Sequence, residues 1–148
     1  MGLIDLTFNN STSNKKFGKN FFCAILEKAA GKTFLKSKNF ELSINLVGEA
    51  KIKHLNRRYR NKNKVTDVLS FPLDADLSVL NGIISLGDII ICLPFVEKRA
   101  KMERADIKKE ITWIVVHGFL HLLGYDHEKS RGQRLKMEEL ENAILNFE

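Results

Sequence analysis

The stretch that decides the reading runs from Ile111 to His127, "ITWIVVHGFLHLLGYDH". Up to Leu123 it is apolar nearly all round, as befits a helix buried in a core, with Trp113, Ile114, Val115, Val116, Phe119 and Leu120 among its residues. Three of the chain's four histidines nevertheless fall within it: His117, His121 and His127. At about 100° per residue, His117 and His121 stand one turn apart on a single helix face, so their imidazoles can meet one ion. Gly124 follows at the point where a left-handed residue ends a helix without a Cβ clash. The "GYD" turn is then expected to return His127 to the same point.

Three neutral imidazoles make a tripod that leaves one tetrahedral position open, the arrangement of catalytic rather than structural zinc. His54, Cys23 and Cys92 have no spacing that recommends them as a fourth ligand. One Zn2+ per chain, held by His117, His121 and His127, is therefore expected. The same offsets occur in the metallopeptidase signature H-E-x-x-H-x-x-G-x-x-H, where a glutamate after the first histidine is the general base. Here that residue is Gly118. A mid-helix glycine costs about 1 kcal/mol relative to alanine. Either room for substrate above the metal or close packing of the helix on a sheet accounts for it.

The rest of the chain frames this stretch. Its 148 residues, 44% hydrophobic and 28% charged, suit one domain over 1–148 with a real core. Cys23 and Cys92, far apart and without a C-x-x-C pair, read as core thiols of a reduced protein. A basic segment followed by an apolar run is missing at the N-terminus, and no apolar run reaches membrane-spanning length. A soluble cytoplasmic protein that does not engage membranes is expected, with oligomeric state left open.

Periodicity supplies the elements. Residues 2–8 suit a strand and 17–30 a helix stopped at Gly31. "FELSINLV" alternates, with Phe40, Leu42, Ile44 and Leu46 on one face and Glu41, Ser43 and Asn45 on the other. A helix is expected over 49–60, burying Ile52, Leu55 and Tyr59. "TDVLSFPLD" and "GIISLGDIIICLP" read as strands, closed by Pro72 and Pro94. A charged helix to about 105, the apolar helix N-capped by Asp106, and a last helix over 130–147 complete the chain. The expected class is α+β: a small mixed β-sheet packed with helices, one of them the buried metal-binding helix.

The net charge of +6 is concentrated between Lys51 and Lys64, which holds seven basic residues and no acidic one. Lys53, Arg57, Arg60 and Lys64 fall at helical offsets 0, 4, 7 and 11, a stripe suited to phosphates, although the helix can end before Lys64. A hydrolytic metal in the same small domain favours a phosphodiester substrate.

Together, "HGFLHLLGYDH", "LNRRYRNKNKVTDVLSFP" (55–72), "LGDIIIC" (86–92) and the tail "MEELENAIL" resemble the YbeY family of bacterial endoribonucleases, from about residue 40 to 145. The resemblance implies a zinc-dependent endoribonuclease that prefers single strands and acts in small-subunit ribosomal RNA maturation and ribosome quality control. Its partners would be ribosomal RNA and the small ribosomal subunit. The family's metal ligands fall on His117, His121 and His127, and its essential arginine on Arg60. The family usually carries aspartate and proline where this chain has Asn63 and Val65, which leaves that loop less rigid and less acidic.

Two carboxylates complete the candidate catalytic set. Asp126 can orient a ligand imidazole or accept a proton, or simply form the turn. Asp88, in "LGDI", can act at the cleft or merely shape a strand edge. Two other functions compete: a metallopeptidase, and a non-catalytic ribosome-assembly factor that binds RNA through the basic helix while zinc holds the fold.

Overall fold

The computed structural model describes residues 2–73, 79–126 and 128–146. In chain order the elements are β1 (Ile4–Asn10), α1 (Lys19–Ala30), β2 (Asn39–Val47), α2 (Glu49–Arg60), β3 (Val68–Pro72), β4 (Val79–Leu80), β5 (Ile83–Cys92), α3 (Leu93–Glu103), α4 (Ile107–Leu122) and α5 (Arg131–Leu145). Across the sheet the strands run β1-β2-β5-β3, and β4 pairs with the start of β5. The β1–β2 and β2–β5 pairs are parallel and the β3–β5 pair antiparallel. The sheet is thus mixed and helix-covered, as the alternation of periods implied.

Alternation in β2 sets which face is which. Phe40, Leu42, Ile44 and Leu46 are buried, while Glu41, Ser43 and Asn45 between them are partly open. The buried face joins Ile89 and Ile91 of β5 to α1, α4 and α5 in one cluster. Helix α2 covers the opposite face, where Ile52 meets Val47, Leu69 and Cys92. Burying each large aliphatic or aromatic side chain here contributes about 1.5–3 kcal/mol, so α4, with Ile111, Ile114, Val115, Val116, Phe119 and Leu120 all inaccessible, anchors the fold.

Local signals place α4. Asp106 is its N-cap, its carboxylate accepting from the Lys108 amide at 3.0 Å. Gly124, at φ 97°, follows the last turn, as the left-handed requirement predicted. Leucine or alanine there would be strained. Helix α2 ends at Arg60, where Asn61 adopts the left-handed conformation, so Lys64 lies beyond the helix.

Several expectations need correction. Pro94 does not close β5; it occupies the first turn of α3, where a missing amide hydrogen costs nothing. Tyr59 does not continue the buried stripe of α2: Ile52 is buried, but Tyr59 is 57% exposed. Trp113 is 40% exposed within the run of α4 expected to be apolar and buried, and Leu135 is half exposed on α5. Periodicity gives the direction of a side chain but not where the opposing layer stops. Cys92 is buried and Cys23 partly so, both as free thiols. None of the described helices is long and apolar enough to cross a membrane.

Candidate functional site

The apolar walls of α4 leave His117 and His121 partly open on the side facing β3. Both line a cleft of about 840 Å³, walled on one side by Arg60, Lys62, Lys64 and Ser70 and on the other by Tyr125 and Asp126. The sequence-separated arginine and histidines thus share one open cleft. Lys53 and Arg57 are exposed on α2 but do not line it. Lys64 does, carried there by the loop after α2 rather than by the helix. Lys62, outside the predicted stripe, lines it as well.

The Nε2 atoms of His117 and His121 lie 3.2 Å apart. Two nitrogens bound tetrahedrally at roughly 2.05 Å sit about 3.3 Å apart, so the pair fits two vertices of a zinc site. His127, the expected third ligand, lies outside the described residues. Among those residues no set of three or more metal-ligating side chains gathers, and the tripod rests on its sequence position.

Two side chains that sequence reasoning did not single out fix His117. Glu141, on α5 and 8% exposed, places Oε2 at 2.8 Å from Nδ1. A carboxylate only accepts, so Nδ1 donates, and this leaves Nε2, which faces His121, as the nitrogen that can offer a lone pair to a metal. Trp113 stacks on the same ring, centroids 4.8 Å apart and planes at 17°. The signal for Glu141 was a lone acid at a buried position of an amphipathic helix, visible only once the core-facing side of α5 is known.

Arg60 is likewise held in place. Its Nη2 donates to the Ser70 carbonyl at 2.5 Å, and its guanidinium lies 5.4 Å from the Phe71 ring centre. One of five donors is used this way, and the remainder of the planar group borders the cleft. Buried Asn56 fixes the loop that follows α2: its Nδ2 donates to the Lys64 carbonyl at 3.0 Å, and its backbone carbonyl accepts from the Lys62 amide. These bonds hold both lysines at the rim despite Asn63 and Val65.

The carboxylates separate. Asp126 borders the cleft, and its Oδ1 accepts from the Glu128 amide at 2.8 Å, the bond of a turn-forming aspartate. Asp88 is not brought to the cleft. It is exposed on the sheet face away from α4 and accepts from the Ser43 hydroxyl. Gly118 serves close packing rather than an open space: a Cβ there would meet Ile89 Cγ2 and Ser70 Oγ at 3.2 Å.

A family model described as Endoribonuclease YbeY matches residues 6–147. The chain belongs to the YbeY family. This YbeY-family chain is similar to the "Endoribonuclease YbeY" of Persephonella marina, 39% identical over 143 residues that span 97% of this chain and 89% of the relative. It is also similar to that of Finegoldia magna, 45% identical over 111 residues, covering 75% and 71%. Among solved structures it resembles the solution structure of TM1509 from Thermotoga maritima, with TM-score 0.58 and 27% identity over 95% of this chain and 89% of that one. YbeY-family membership thus covers the sheet, both walls of the cleft and the histidine helix.

Proposed function

We propose that this chain is a zinc-dependent endoribonuclease that cleaves single-stranded RNA, working in small-subunit ribosomal RNA maturation and ribosome quality control in the cytoplasm. The observation that carries the reading is one polar cleft shared by Arg60 and the His117–His121 pair. Relatives that bear the name endoribonuclease support the reaction class.

One zinc ion, bound by His117, His121 and His127, would supply Lewis acidity and activate water near neutral pH without a neighbouring glutamate. Arg60 meets the phosphate. Its planar donors suit the oxygens on which charge builds during cleavage, and the Ser70 carbonyl keeps them aimed before substrate arrives. Lys62 and Lys64 attract the neighbouring phosphates from the same wall. Glu141 maintains the tautomer that His117 needs as a ligand.

A metallopeptidase fits less well. Gly118 replaces the general base, and a peptide laid along β3 would compete with Arg60 for the Ser70 carbonyl. The deciding experiment pairs metal analysis of purified protein with cleavage of single-stranded RNA by wild type, Arg60→Ala, Arg60→Lys and His117→Ala. About one zinc per chain is expected, with cleavage falling roughly 10²–10³-fold in Arg60→Ala and lysine restoring little of it. Zinc-loaded wild type that binds RNA without cleaving it would replace this reading with that of a non-catalytic assembly factor, and cleavage unchanged in both Arg60→Ala and His117→Ala would overturn the assigned site.

A further inference from the structure

Tyr59 follows Ile52 and Leu55 at inward-facing helical spacing, yet its ring stands in the open. Isolated exposed apolar residues are ordinary on protein surfaces. This one differs in its company. Its ring meets Phe71 edge-on, with centroids 5.4 Å apart and planes at 67°. The Arg58 guanidinium lies 5.5 Å from the Tyr59 centroid, and Arg60 covers Phe71 at 5.4 Å. Arg58, Tyr59, Phe71 and Arg60 therefore follow one another along a ledge, an aromatic pair between two arginines, and its inner end, Arg60, borders the cleft.

Those materials suit one ligand chemistry. A nucleic acid strand carries flat, polarisable bases between anionic phosphates, and an aromatic pair with a guanidinium at each end complements both. Between Lys51 and Lys64 no acidic residue opposes a polyanion. Phe71, half-buried at the end of β3, gives Tyr59 a rigid neighbour, so little freedom is lost when a base settles on it.

We propose that Tyr59, braced by Phe71, stacks an unpaired nucleobase of the substrate strand next to the phosphate engaged by Arg60. This deepens, and rests on, the RNA-cleaving reading above. It also supplies a physical source for single-strand selectivity, because a base inside a duplex has no face to offer. The subsite tolerates any base, since each has a π face.

The test uses the full zinc-loaded chain and short single-stranded RNAs carrying 2-aminopurine at successive positions, mixed by stopped flow so that binding precedes cleavage. Fluorescence at one position is expected to be quenched by wild type and by Tyr59→Phe. In Tyr59→Leu, which keeps apolar bulk against Phe71, that quench should vanish and Kd rise about tenfold. The loss in Tyr59→Leu should appear chiefly as a raised KM, and Tyr59→Phe, which keeps the ring, should restore it. Wild-type quench and Kd in Tyr59→Leu would overturn the stacking proposal while leaving the nuclease reading intact. A wild-type protein that neither binds nor cleaves any of these RNAs would overturn both.

Discussion

Glu141 Oε2 lies 2.8 Å from Nδ1 of His117, a bond that ties α5 to α4 across 24 positions of sequence. It sets which ring nitrogen faces the cleft. Removing the charge while keeping the shape, as in Glu141→Gln, leaves a weaker partner on Nδ1 and a less basic Nε2. Zinc affinity measured by chelator competition should fall about 10–100-fold, with little change in fold. An unchanged affinity would show that Glu141 serves packing alone.

Trp113 is the chain's single tryptophan, stacked on His117 at 4.8 Å. A ring in that contact senses any change in charge or motion of the imidazole. Adding zinc to metal-free protein should change Trp113 emission saturably at one equivalent, and the change should be missing in His117→Ala. A flat titration in a protein that binds zinc by direct analysis would contradict the ligand assignment of His117.

Lys64 and Lys53 belonged to one predicted stripe, but only Lys64 lines the cleft. If the substrate strand runs through that space, Lys64→Ala should lower the slope of log Kd against log salt by about one unit. Lys53→Ala should leave the slope as it is. Equal effects of the two would place the RNA on the open face of α2 instead.

Gly118→Ala sets helix propensity against packing. Alanine gains about 1 kcal/mol in a helix interior, but overpacking costs typically 1–3 kcal/mol. The new methyl would meet Ile89, fully buried and stiff at χ1, at 3.2 Å. The balance should be a net loss of about 1 kcal/mol in urea unfolding. A stabilised variant would mean that Ile89 yields more easily than a fully buried side chain should.

Burial pushes the Cys92 thiol up, away from the reactive thiolate. In the native protein a thiol reagent near neutral pH should modify Cys23 first, with Cys92 reacting only on unfolding. Because the folded state holds the Cys92 proton more tightly, this contribution to stability is complete below the ordinary thiol pKa. It declines as pH rises through the raised one. Rapid native labelling of Cys92 would rule this out.

Much of this protein was legible in the chain. Strict alternation fixed β2, Asp106 and Gly124 bracketed the histidine helix, and a spacing of four put His117 and His121 on one face, because these follow from backbone geometry within a few residues. The tertiary structure decided the rest. It alone showed that Arg60 shares a cleft with the histidines, since that depends on β3 lying between α2 and α4. It sent Asp88 to the far face, through the sheet's two-sidedness, and exposed Tyr59 and Trp113 where the covering layers end. Glu141 became a partner of His117 only when α5 docked on α4. Local periodicity states which way a side chain points, whereas its neighbours are set by packing between elements far apart in sequence.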